Sequence, residues 1–319
     1  MLAELRAGEF IYEQSAVADT EYVFKHALTQ EVAYNSLLIE RRKLLHERAG
    51  QALESMFAGQ LDDHLTQLAH HYSRSDNISK AVEYLGRAGQ QALQRSVHVE
   101  AISSFTAAID LLQRLPESPE RNQGELVIQQ ALGTALIALK GYAASEVERA
   151  FARALELCER LGDPVKLFPA MFGLWAVHYL RGERRKAFEL AEQLLRRAER
   201  ARDQELLMLA HVALGDTSCS TGELLRAREH LEVAISLYNR ERPPRLGGSN
   251  DLGVNALSYA ALTLWLLGYP DQALERSNEA FALAEAISHP HTLAFAEFFV
   301  AVCYNFGETH ERLKRLRSA

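Results

Sequence analysis

Cysteine, proline and β-branched residues are scarce in this chain, and each shortage removes a class of protein. Only Cys158, Cys219 and Cys303 occur in 319 residues. They are odd in number, far apart and each set in an apolar helical pattern. That excludes a disulfide framework or zinc site and reads as small core residues in a reducing compartment. The 8 prolines sit mainly at segment ends, and Val, Ile and Thr are sparse beside Leu, Ala, Glu and Arg, a bias towards helix over sheet. Excess positive charge is missing too. At a net charge of −7, the chain lacks the basic face that a phosphate backbone or an anionic bilayer rewards, so neither nucleic acid nor membrane is an expected partner. The longest apolar stretch, residues 256–267, is broken by Ser258 and Thr263 and is too short to span a bilayer. Residues 1–6 carry no basic segment followed by an apolar run, so no secretory signal is evident. These readings predict a cytoplasmic protein.

What is present is a repeat. Residues 210–235 form two short amphipathic runs joined at Thr221-Gly222, with small residues at Gly215, Ala227 and Ala234 and a large one at Leu231. Small side chains let two antiparallel helices approach, and the large one fills the gap between them. In its unit this spacing resembles the tetratricopeptide repeat. Ala69, Ala81, Leu85 and Ala88 fall at the same relative positions, and Gly182, Gly222 and Gly268 occupy one shared turn position. The intervals between these glycines exceed the roughly 34-residue standard repeat, and the second is lengthened further by a Pro- and Gly-rich loop at 242–249. Helices are expected over 62–74, 79–95, 97–115, 125–140, 145–161, 168–180, 184–202, 251–267, 270–286 and 292–306, with a linker at 117–123. Ser145 with Glu148 reads as a capping box, and Gly162-Asp163-Pro164 as a stop. Basic residues 184–186 and 196–202 are interleaved with Glu183, Glu189, Glu192 and Glu199 at same-helix pairing distances, a solvated face. The last unit looks incomplete: residues 308–319 offer only Leu313 and Leu316 as apolar anchors, fitting a polar cap or a frayed truncation.

The N-terminal segment differs. Residues 9–13 and 21–25 are β-favouring runs around a polar stretch, read as a hairpin, with helical periodicity following over 27–38 and 41–57. The run YVFKHALTQEVAYNSLL at 22–38, then ERRKLLH at 40–46 and Ala52-Leu53-Glu54, resembles the junction of bacterial STAND-type signalling ATPases. In that family an AAA-like ATPase module passes through a winged helix into tetratricopeptide-like repeats, often behind a class III adenylate or guanylate cyclase domain. The run KGYAASEVE at 140–148, with residues 154–158 and 161–163, is similar to the first repeats of the cyclase-linked members, and the resemblance extends to about Phe306. One departure matters. The phosphate-cradling G-x-x-x-x-G-K-[ST] loop is missing, and the glycine cluster at 246–249 lacks the lysine; no cyclase domain is present either. The chain is therefore expected to be the C-terminal arm of such a protein, as a truncated product, a fragment or a free-standing relative.

Candidate functional residues follow from both readings. The resemblance implies that His26, just after the second strand, reaches the nucleotide phosphates of the ATPase module; the alternative is that it caps or packs at the strand–helix junction. In a repeat array the first helix of each pair lines the concave face, which nominates Phe172, Tyr179, Asp216, Ser220, Asn255, Ser258 and Trp265 as partner-binding positions. Large aromatics such as Trp175 and Trp265 can equally fill the interface between repeats. Neither His64, His70 and His71 nor His289 and His291 come with carboxylate or thiolate partners at ligand spacing, so no metal is expected. No G-x-S-x-G elbow or other catalytic set is found.

The expected fold is all-α, a tetratricopeptide-like solenoid forming a right-handed superhelix of helix pairs. A winged-helix remnant with junction helices would occupy residues 1–57 and the repeats 58–319. The function implied is a non-enzymatic protein-interaction and regulatory module of a signal-transduction ATPase, cyclase-linked, needing no cofactor. Its repeats would bind a protein or peptide partner, and its junction would pass that event to the ATPase or cyclase module of the parent. The alternative is a free-standing repeat adaptor. The register has a direct test: Ala227→Leu overpacks a close helix contact and should cost about 1–3 kcal/mol in thermal or denaturant unfolding, whereas unchanged stability would refute it.

Overall fold

A computed structural model of the protein describes residues 2–15, 20–162, 164–241 and 250–317. The expected loop at 242–249, Asp163, and the side chains of Leu313 and Leu316 lie outside the described residues. By contacts the chain divides into two units, Met1–Leu115 and Pro116–Ala319.

In the first unit a short helix that the sequence pattern did not announce, α1 (Leu2–Ala7), precedes the hairpin of β1 (Ile11–Ser15) and β2 (Thr20–Phe24). The strands pair antiparallel with Ile11 opposite Phe24 and Glu13 opposite Tyr22. Ile11 is buried while Phe10, Tyr12, Tyr22 and Phe24 remain exposed, so most of the large side chains on both faces of this small sheet are left uncovered. Helices α2 (Ala27–Asn35), α3 (Ile39–Met56), α4 (Leu65–Tyr72), α5 (Ile78–Gln94) and α6 (His98–Leu112) follow. Glycine sets the approach of neighbours here: a Cβ at Gly50 would lie 2.8 Å from the Tyr72 ring, and one at Gly89 would lie 2.6 Å from the Phe105 ring. Tyr72 donates its hydroxyl to Glu54 at 2.7 Å, Tyr84 donates to the same carboxylate, and Lys80 pairs with it at 3.0 Å. Glu54 of α3 is thereby tied to α4 and α5.

The second unit contains α7 (Pro119–Lys140), α8 (Ser145–Leu161), α9 (Pro164–Leu180), α10 (Arg184–Ala201), α11 (Gln204–Thr221), α12 (Leu224–Leu237), α13 (Leu252–Leu266), α14 (Pro270–Ile287) and α15 (Pro290–Arg317). Successive helices pack as pairs, and the first helices α7, α9, α11 and α13 each also touch the next first helix, the last of these being α15. This is the tetratricopeptide-like arrangement expected. Gly182, Gly222 and Gly268 close three of the turns with φ of 75°, 83° and 89°, a region that a side chain would strain. The small-and-large pattern of residues 210–235 is met in detail: Ala227, Leu231 and Ala234 are fully buried, and a Cβ on Gly215 would lie 2.5 Å from Leu231.

Several expectations are corrected. Residues 119–123 are helix, because Ser118 caps α7 by accepting from the Arg121 amide and Pro119 occupies its first turn, where proline costs no hydrogen bond. Helix α9 starts a turn before the apolar periodicity and carries Pro169 inside it. Ser145 and Glu148 form no capping box: the cap residue is Ala144, Ser145 contacts Glu146 at 3.2 Å, and Glu148 is drawn instead to Arg181. The last helix runs unbroken from Pro290 to Arg317, so residues 308–317 continue it. The charged face of α10 is solvated as expected, with Arg185–Glu189 at 3.0 Å and Lys186–Glu183 at 2.6 Å. More consequential is a pair that links α7 and α8: buried Glu125 receives Arg153 through two bonds, at 2.7 and 3.0 Å, a fork geometry that fixes orientation.

The ring of Phe151 on α8 sits between two glycines, with hypothetical Cβ positions at 2.8 Å from Gly133 of α7 and 2.6 Å from Gly173 of α9. Gly173→Ala should therefore destabilise by about 1–3 kcal/mol. Gly86→Ala, where nothing lies within 4 Å, should stabilise α5 by up to about 1 kcal/mol through helix propensity. Chemical denaturation of both variants checks the pair, and equal effects would contradict the close-approach account.

Candidate functional site

Side-by-side first helices bring one aromatic face together. On α9, Phe172, Trp175 and Tyr179 recur at helical spacing, so their rings form a continuous stack with centroids 4.8 and 5.2 Å apart. These residues, with Tyr142, Asp216 of α11, Asn250, Asn255 and Tyr259 of α13, and His291 and Phe295 of α15, line a cleft of about 150 Å³. Trp175 is held by its indole N–H, which donates to Thr217 Oγ1 at 2.9 Å, and the Tyr179 hydroxyl donates to that of Tyr259 at 3.1 Å. The rings are thus fixed by polar tips as well as by packing.

Asp216 is the exceptional group. It is 1% exposed, and no cation among the described residues meets it. With its amide nitrogen turned towards the carboxyl, Asn255 donates to the two oxygens at 3.1 and 3.3 Å. Burial pushes the Asp216 carboxyl well above the ordinary carboxylate range, and the Asn255 hydrogen bond opposes this only in part. Burial likewise pushes up the Tyr179 and Tyr259 phenols and the Cys219 thiol, with Asp216 adding to each. Arg184 stacks over the Tyr179 ring at 4.9 Å, but its guanidinium donates to the Tyr179 carbonyl at 2.9 Å.

Of the seven positions nominated for a concave face, Phe172, Tyr179, Asp216 and Asn255 line this cleft and Ser220, Ser258 and Trp265 lie outside it. Ser220 is exposed at the end of α11, its hydroxyl turned to the Thr217 carbonyl. Ser258 is fully buried and does not reach the cleft, although at three residues from Asn255 it lies near the same face, and Trp265 is rotated off that face. Trp175, Tyr259, Asn250, Phe295 and His291 were not nominated. Spacing could have found two of them, since Trp175 follows Phe172 by three positions and Tyr259 follows Asn255 by four.

The histidines separate into other settings. His26 is the cap residue of α2; its side chain is exposed and makes no cap hydrogen bond. His64 stacks on Phe57 at 3.7 Å. His71 meets His46 through their Nδ1 atoms at 3.1 Å, with Tyr34 on the far side of His46 at 3.0 Å. His70 lies edge-on to both imidazoles. Burial and neighbouring positive groups push all three imidazoles down. Among the described residues no group of three His, Cys, Asp or Glu side chains is arranged to hold a metal, and no helix is long and apolar enough to cross a membrane.

No protein-family model matches the sequence. An uncharacterized protein of Rhizobium meliloti is 26% identical over 302 residues, covering 92% of this chain; the chain spans 29% of that relative's length. Among solved structures, RapI superposes with a TM-score of 0.59 at 15% identity, over 72% of this chain and 79% of its own. The NprR complex with its cognate peptide NprX gives 0.56 at 13% identity, over 90% and 79%. The STAND protein with a tetratricopeptide repeat sensor from Pyrococcus horikoshii gives 0.55 at 12% identity, over 90% and 50%. At these identities the likeness establishes the tetratricopeptide-like fold.

The buried acid makes stability depend on pH with a definite sign. Asp216 keeps its proton to higher pH in the folded chain than in the unfolded one, so its contribution is complete below about pH 4 and is lost as pH rises towards the elevated folded value. The melting temperature of Asp216→Asn minus that of the wild type should therefore grow between about pH 4 and neutrality. A difference that stays constant with pH would show that Asp216 titrates normally.

Proposed function

We propose that the chain is the sensory and regulatory arm of a cytoplasmic STAND-type signalling ATPase, cyclase-linked, whose repeats bind a peptide or an extended protein segment in the α9–α15 cleft. The observation that carries this reading is the cleft itself: rigidly held rings and a buried polar pair where consecutive first helices meet, suited to gripping an extended chain. The likeness to a tetratricopeptide repeat sensor and to a peptide-bound quorum sensor supports it. So does the length of the Rhizobium relative, of which this chain spans 29%.

The junction would carry the event onward. In this reading the hairpin, α2 and α3 are the winged-helix remnant, and exposed Phe10, Leu28 and Val32 form apolar surface of the kind that contacts another domain. His26 stands exposed at the strand–helix junction, free to meet a nucleotide phosphate supplied by the ATPase module. Glu54, bonded to α4 and α5, links this segment to the first repeat.

Selection of a displayed random-peptide library on the 319-residue chain tests the reading. Binders should emerge whose affinity falls at least about tenfold, the equivalent of 1.4 kcal/mol, on Phe172→Ala or Tyr259→Ala with the fold retained by circular dichroism. Failure to select any peptide, or binders indifferent to both substitutions, would remove the cleft as the sensing site.

A further inference from the structure

The cleft is lopsided in its polar chemistry. Its walls are ring faces from Phe172, Trp175, Tyr179, Tyr259 and Phe295. Its buried polar lining offers acceptors in excess of donors: the two oxygens of Asp216 meet only the Asn255 amide. Asn250 Oδ1, also lining the cleft, is buried with no hydrogen-bond partner among the described residues. One acceptor, Asn250 Oδ1, is therefore desolvated without return, and beside it lies a carboxyl that has a single amide donor and no counter-ion for its charged form.

An occupant carrying both N–H donors and positive charge satisfies each of these groups at once. The aromatic faces favour the same occupant, because their quadrupoles attract a cation most strongly where water is excluded. Trp175 and Tyr179 already spend their polar tips on Thr217 and Tyr259, so they add no free acceptor of their own to compete for a cation. Arg184, which stacks on the Tyr179 ring, is engaged with the Tyr179 carbonyl, and His291 is the imidazole that lines the cleft. An anion would meet a carboxyl and an orphan acceptor, and a purely apolar group would leave Asn250 Oδ1 unpaired and the carboxyl without a counter-ion. The volume of about 150 Å³ admits the head of one side chain.

We infer that the cleft between α9, α11, α13 and α15 is a binding site for an organic cation, the ammonium or guanidinium head of a basic peptide residue, with Asp216 as its counter-ion and Asn250 as a second acceptor. This rests on the peptide-binding reading above and specifies the residue recognised there. Asp216 takes the charge, Asn255 orients the carboxyl, and the stacked rings supply the walls.

Tryptophan fluorescence, with Trp175 in the wall, measures the test on the 319-residue chain. The probes are N-acetyl-arginine amide and N-acetyl-lysine amide against their neutral counterparts N-acetyl-citrulline amide and N-acetyl-norleucine amide. At least one cation should bind about tenfold or more tighter than its neutral counterpart, and Asp216→Asn should erase that preference while remaining folded by circular dichroism. Equal affinities, no saturable binding of either cation at millimolar concentration, or a preference that survives Asp216→Asn would overturn the assignment. Should Asp216→Asn fail to fold, the wild-type comparison of charged and neutral probes decides alone. Library peptides that bind through the cleft without basic residues would sink the cation and leave the peptide reading intact. Cleft binding of the cations with no peptide selected would do the reverse.

Discussion

Glycine facing a bulky side chain is the contact on which the architecture depends. At Gly50, Gly89, Gly133, Gly173, Gly215 and Gly253 a β-carbon would fall within 2.8 Å of a neighbouring ring or Leu231, so the helices stand closer than any other residue would allow. Each such contact removes apolar area from water and fixes the distance between two axes together. The repeats are longer than the standard unit and uneven in their loops, yet spacing is preserved because these sockets set it locally. Side chains elsewhere on the same helices are thereby placed with little freedom, and the cleft is one result.

The cleft shows what such placement can hold. A buried aspartate without a cation is costly in any fold, and a loosely packed helix pair would relax until water reached it. Here the neighbouring helices are pinned by contacts such as Gly215 against Leu231 and Gly253 against Tyr238, the latter also bonded to Asp251 at 3.1 Å. The acid is held dry beside Asn255 by packing that lies away from the cleft. The stability surrendered at Asp216 is offset by those apolar contacts.

Much of this was legible in the residues alone. The pattern of Gly215, Ala227, Leu231 and Ala234 announced a close helix pair, and the turn glycines announced its ends, because both signals are local. The hairpin was readable from composition for the same reason. Helix starts were harder: Ser118 and Pro119 outcompeted the linker composition around them, and Glu148 chose Arg181, a residue of a distant turn, over the capping box that sequence proximity suggested. The cleft was half legible. Phe172, Tyr179, Asp216 and Asn255 could be named from their place upstream of turn glycines, whereas Asn250, His291 and Phe295 enter from segments whose approach is decided by tertiary packing. Ser258 and Trp265 lie outside the cleft, Trp265 because the 3.6-residue rotation turns it off the face that Asn255 and Tyr259 share.

Glu54 carries a mechanical meaning. Three donors, from Tyr72, Tyr84 and Lys80, converge on its carboxylate from two helices, so α3 cannot roll about its own axis without breaking all three together. A helix free to roll would re-aim the side chains it exposes; one locked in this way keeps them in fixed register with α4 and α5. The orientation of α3 and the cohesion of the first helices are therefore one quantity: whatever turns this helix must also detach its carboxylate from both neighbours.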